Sequence, residues 1–101
     1  MCTYLTEHLV LRAQAKGPGG WFAANEASVY FDHPVSLGVE HSLNLDLLSS
    51  REQPRRLAVE LDAASALDLA RGILTTLARS PDTLVPAEVL AAARRAAEAL
   101  A

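Results

Sequence analysis

The chain has 101 residues, enough to bury one hydrophobic core but not two, so it reads as a single α+β domain spanning 1–101. Half of the residues are apolar and 21% are charged, the profile of an ordinary soluble globular protein. The formal net charge is −3, and the nine Lys and Arg are scattered, with only the short pairs Arg55-Arg56 and Arg94-Arg95, which argues against the clustered basic face of a nucleic-acid binder.

The opening MCTYLTEHLV lacks the basic start and long apolar run of a signal peptide. No apolar run approaches the roughly 20 residues that span a bilayer. The expectation is a cytoplasmic protein with no membrane partner. Cys2 is the single cysteine, which excludes an intrachain disulfide and any Cys-pair zinc motif.

Residues 3–13 alternate strictly, Leu5, Glu7, Leu9 and Leu11 on one side and Thr6, His8, Val10 and Arg12 on the other, and predict a half-buried strand. Lys16-Gly-Pro-Gly-Gly20 is a turn cluster. A second strand follows over about 21–33, with Ala27, Val29 and Phe31 on one face. A third covers about 41–48, with Leu43, Leu45 and Leu47 opposed to Ser42, Asn44 and Asp46. Ser49 to Pro54 is a polar loop, and a fourth strand carries Leu57, Val59 and Leu61 inward. Asp62 suits a helix N-cap, and Leu67, Ala70, Ile73, Leu74 and Leu77 recur at helical spacing up to the stop at Ser80-Pro81. Pro86 suits a first helical turn and opens an Ala-rich helix to Ala101, with Val89, Leu90, Ala93 and Leu100 as its apolar stripe. The architecture is ββββαα, a four-stranded antiparallel meander with two C-terminal helices packed on one face.

Turns set register, and centring each of the three hairpins places Leu43 opposite Phe31 and Leu61, and Leu45 opposite Val29 and Val59. The same register sets His33 opposite His41, with Thr3 on the next strand, at the end of the sheet beyond Phe31 and Leu43. Opposed Cα atoms are roughly 4.5–5.5 Å apart, so the two imidazoles could share one ligand. They suit a divalent transition metal (zinc, iron or manganese) or an acid/base pair. A metal needs a third protein ligand, for which Glu40, beside His41, and Glu7, the carboxylate on the apolar face of the first strand, are the candidates. Burial among Leu5, Leu9 and Val29 would raise the pKa of Glu7 and make it a general acid or base. A strand at the sheet edge would instead let Glu7 reach water.

The opposite face is polar, with Tyr4, Thr6, His8, Ser28, Tyr30, Asp32, Ser42, Asn44 and Asp46. His8, Ser28 and Asp46 fall in one row, but the serine stands in the middle, where a hydrolytic triad requires the histidine. KGPGGWF is no phosphate loop, because a strand and not a helix follows the glycines. Trp21 and Phe22 are packing or interface aromatics, and Val89, Leu90 and Leu100 could serve a homodimer.

The segments CTYLTE (2–7), KGPGGWF (16–22), VYFDHP (29–34) and EHSLNLD (40–46) together resemble a family of small proteins from high-GC bacteria known as a domain of unknown function. The resemblance covers the first half of the chain well and the helices loosely. It implies a stand-alone bacterial protein and carries no activity with it. Two functions fit these residues. One is a small metal-dependent or acid/base enzyme acting on a small polar molecule, with His33 and His41 holding metal or substrate and Glu7 or Glu40 as third ligand or general base. The other is a non-catalytic dimeric module that binds a small-molecule ligand on the open polar face.

Overall fold

Alternation in the first half of the chain and helical periodicity in the second produce an α+β protein with antiparallel sheets and two helices. The computed structural model describes residues 5–50 and 55–101. The elements are β1 (Thr6–Val10), β2 (Gln14–Gly17), β3 (Gly20–Ala23), β4 (Glu26–Asp32), β5 (Ser42–Leu48), β6 (Arg56–Leu61), α1 (Ala63–Ala78) and α2 (Ala87–Ala99). Cys2, Thr3, Tyr4 and the 51–54 stretch of the polar loop lie outside the described residues. Among the described residues no helix is long and apolar enough to cross a membrane.

The predicted register holds in the large sheet. His8 lies opposite Ser28, Leu45 opposite both Val29 and Val59, and Leu43 opposite both Phe31 and Leu61. Apolar side chains therefore share one face and polar ones the other. The simple meander is corrected, however. The strand expected over 3–13 stops at Val10, β2 forms beyond it and runs into the expected turn cluster, and the strand expected over 21–33 breaks at Ala24-Asn25, leaving a four-stranded sheet ordered β1-β4-β5-β6 and a separate two-stranded sheet β2-β3.

The physical cause is one surplus residue. Leu11, Arg12 and Ala13 separate β1 from β2, whereas only Ala24 and Asn25 separate β3 from β4. Backbone bonds from Leu11 N–H to Asn25 O and from Ala24 N–H to Ala13 O, both 2.9 Å, bracket the mismatch. A slip of one residue exchanges the two faces of a strand. The β2-β3 hairpin consequently re-aims Ala15 and Phe22, which form a buried cluster with Ala24, packed against Ala13, Leu47 and Leu57. The hairpin turns at Pro18-Gly19, and Gly20, at φ 101°, has the one positive φ among the described residues. Arg55 pins it, its guanidinium 4.9 Å from the Phe22 ring centre and its Nη2 donating to Gly20 O at 3.2 Å.

The chain divides into two compact units, one ending at Ala63 and containing both sheets, the other running from Ala64 to Ala101. In the second unit α1 and α2 follow one another, joined by residues 79–86. Leu90 and Ala93 are buried, and Leu74 and Leu77 are half-buried. Of the expected α1 stripe, Leu67 and Ile73 remain exposed. Neither helix has a basic residue in its own last turn. Each receives one from the other: Arg94 Nε donates to Ala78 O at 3.3 Å, and Arg71 Nε donates to Leu100 O at 2.9 Å. Cations there satisfy orphan carbonyls and complement the helix dipole. Pro86 stands at the N-cap, φ −53° and ψ 139°, one residue before the helix it was expected to open from within. Its carbonyl accepts the Leu90 N–H, and its missing N–H costs nothing there.

Candidate functional site

The loop between β4 and β5 closes the end of the sheet where the histidines lie. His33 and His41 do meet, their rings stacked with centroids 4.5 Å apart and planes 30° from parallel. Phe31 also stacks on His41, its ring centroid 5.7 Å away. His33 Nδ1 lies 2.9 Å from Glu40 O. A carbonyl oxygen can only accept, so Nδ1 carries the proton and Nε2 of a neutral ring keeps its lone pair. The backbone N–H of His33 donates to Asp32 Oδ1 at 2.7 Å.

The carboxylates proposed beside these histidines behave differently. Glu40 reaches His33 through its main chain, and its side chain is exposed. Glu7 is exposed on β1, an outer strand of the sheet, so it belongs to the reading in which an edge position lets it reach water. Among the described residues no group of three or more His, Cys, Asp or Glu side chains is placed to hold a metal ion.

The same loop does more than join two strands. Glu60, on the polar face of β6, accepts backbone N–H bonds from Val35, from Ser36 at 2.8 Å and from Leu37 at 2.9 Å. These three donors hold its carboxyl below its ordinary value near 4.5, the Val35 bond contributing most. The loop is thereby drawn over the polar face and bounds a cleft of about 990 Å³, within the roughly 300–1,000 Å³ of small-molecule sites. Polar side chains of Tyr30, Asn44, Asp46 and Arg56 line it, together with apolar ones of Val35, Leu37 and Ala58. His33 lines the cleft as well. Alternation assigned it to the apolar side, but β4 ends at Asp32 and the alternation stops with it.

Inside the cleft Asp46 organises its neighbours. Tyr30 Oη donates to Asp46 Oδ2 at 3.1 Å, and Arg56 Nη2 donates to Oδ1 at 3.0 Å. Partial burial, followed by the Asp46 charge, raises the Tyr30 pKa, so its hydroxyl stays protonated. The bond to Asp46 likewise raises that of Arg56. Asn44 and Ser42 are buried beside them, Ser42 Oγ donating to Asn44 Oδ1 at 2.6 Å. The polar face is therefore covered and networked at this end. Along the Asp46 row toward β1, His8 Nδ1 lies 3.0 Å from Ser28 Oγ, while Asp46 is committed to Tyr30 and Arg56.

Arg56 and Glu60 were missed by sequence reasoning. The signal was present: Arg56, Ala58 and Glu60 are the residues of the fourth strand that alternate onto the polar face, and Glu60 pairs with Asn44.

These features define an α+β protein with a loop-roofed cleft on the polar face of its main sheet. The chain belongs to a family of unknown function (DUF6295), whose model matches residues 1–86. That match takes in every strand and α1 and stops one residue short of α2. No curated protein and no solved structure matches the chain.

Proposed function

We propose that the protein binds a small polar molecule in the cleft between the β4–β5 loop and the polar face of β4, β5 and β6. The observation that carries this reading is convergence: Tyr30, Asp46, Arg56 and His33, from three separate segments, line one cleft beneath a loop held by Glu60. Arg56 spends one nitrogen on Asp46 with its side chain 56% exposed, which leaves N–H groups for a ligand's acceptor. The Tyr30 hydroxyl, its proton committed to Asp46, offers a lone pair to a ligand's donor. Val35, Leu37 and Ala58 would pack a ligand's apolar part.

A second reading is favoured by the fixed tautomer of His33. With Nδ1–H on Glu40 O and Nε2 left as an acceptor, His33 is equipped to take a proton from a bound molecule, and the cleft would then be an acid/base active site. A metal held by His33 and His41 would still need a third protein ligand, and among the described residues no third His, Cys, Asp or Glu joins them.

Chemical-shift mapping against a library of small polar molecules tests the binding reading. Binders are expected to move the amides of Tyr30, Asp46, Arg56 and Val35–Leu37, and Arg56→Ala is expected to weaken them by about tenfold or more. Shifts confined to other surfaces would overturn it. His33→Ala separates the two readings: retained binding with lost turnover marks an enzyme, and unchanged turnover of a converted ligand removes His33 from the chemistry.

A further inference from the structure

We infer that two copies of this chain join edge to edge through β1, antiparallel about a twofold axis at His8, to make one continuous eight-stranded sheet. Within the four-stranded sheet β1 is an outer strand that, among the described residues, pairs with β4 alone, and all five of its residues are exposed. The opposite outer strand, β6, contacts β2.

The direction of the unused hydrogen-bonding groups follows from the ladder. Phe31 N–H donates to Leu5 O at 3.3 Å and Leu11 N–H to Asn25 O at 2.9 Å. Hydrogen-bonded pairs alternate along an antiparallel ladder, so Leu5, Glu7, Leu9 and Leu11 face β4. Thr6, His8 and Val10 therefore direct their N–H and C=O groups away from the sheet, an open template for another strand. Neither Lys nor Pro blunts this edge.

The sequence of the edge selects its partner and its register. A twofold axis normal to the sheet keeps polar side chains on the polar face, which limits the axis to a residue of β1. An axis at Glu7 would set two carboxylates directly opposite, which is unfavourable. An axis at Leu9 would set the outward groups of Thr6 against Arg12, two residues beyond the end of β1. An axis at His8 uses the whole strand. His8 exchanges both backbone bonds with its symmetry mate, and Thr6 and Val10 exchange theirs with one another. Leu5, 65% exposed, then faces Leu11, and Val10, 89% exposed, gains a neighbour in Thr6. A strand that satisfies all its outward groups with a second copy of itself is an isologous interface. The sheet so formed carries both clefts on one face.

Sedimentation of the full chain over a range of concentrations, with two sets of variants, tests this. The wild type is expected to sediment as a dimer at high concentration. His8→Pro removes an outward N–H and leaves the β4 ladder intact, so it is expected to be a folded monomer by sedimentation and circular dichroism. Register is read by oxidising single-cysteine variants in a Cys2→Ser background. Cα atoms of a hydrogen-bonded pair lie near 5.5 Å, within disulfide range. His8→Cys is expected to cross-link efficiently, and Glu7→Cys and Leu9→Cys poorly. A wild type that stays monomeric throughout would overturn the inference, as would a folded His8→Pro dimer. Preferential cross-linking at Glu7 or Leu9 would overturn the His8 axis. Should His8→Pro fail to fold, the wild-type mass and the cross-linking pattern still decide.

Discussion

Glu60 is the side chain on which the cleft most depends, because one carboxylate receives three consecutive backbone N–H groups from a loop with no secondary structure of its own. Glu60→Gln keeps the size of the side chain but replaces one accepting oxygen with an NH2 group, which cannot accept, and removes the charge that strengthens acceptance at the other. Hydrogen exchange at Val35, Ser36 and Leu37 is expected to accelerate in this variant, while exchange within β4 and β5 stays near wild type. The carboxyl is depressed in the folded chain, so its contribution is complete above the ordinary Glu value near 4.5 and is lost as pH falls through the lower folded value. Amide exchange followed from pH 7 to pH 3 should accordingly show the loop released only at the acidic end. Release near neutrality would mean that another group holds the loop.

Two elements illustrate how local backbone chemistry sets stability. In the β2-β3 hairpin, Gly20 at φ 101° occupies a conformation that L residues resist. Gly20→Ala is expected to cost about 1–2 kcal/mol in urea denaturation. Gly19→Ala, by contrast, meets only the movable tip of Arg55, at 2.7 Å, and is expected to cost less. In the helical pair, Leu90 is 4% exposed, and Leu90→Ala is expected to cost about 2–4 kcal/mol of that unit's stability. Arg94→Ala removes a donor to the α1 C-terminus, and the loss of helicity by circular dichroism should reflect only about 0.3–1 kcal/mol. Equal effects from Leu90→Ala and Arg94→Ala would refute this ranking of packing over capping.

For the molecule as a whole, the edge-to-edge pairing has a thermodynamic signature. A chain that associates only when folded is stabilised by mass action, so the melting temperature should rise with protein concentration. His8→Pro should remove that dependence. A concentration-independent melting temperature in the wild type would argue against association of the native chain. The family match stops before α2, so the strands that build the cleft all lie within the shared segment. The proposed ligand site is therefore expected in other members that keep Tyr30, Asp46, Arg56 and Glu60.

Much of the fold was legible because alternation and turn residues are local quantities. The pairings of Leu43 with Phe31 and Leu61, and the meeting of His33 with His41, followed from turn centres alone. The break in the long strands was not legible, since one surplus residue between Val10 and Gln14 leaves the alternation on either side intact and shows itself only when the two ladders are laid side by side. Nor could the polar face be recognised as a cleft. Alternation assigns Glu60 to that face but says nothing of a loop some 25 residues upstream, whose Val35 N–H reaches the Glu60 carboxylate only after the strands have paired. Side-chain periodicity belongs to the sequence, because it is a property of neighbours along the chain. Where a loop settles depends on which distant carboxylate can satisfy its backbone N–H groups, and that is decided only by the tertiary structure.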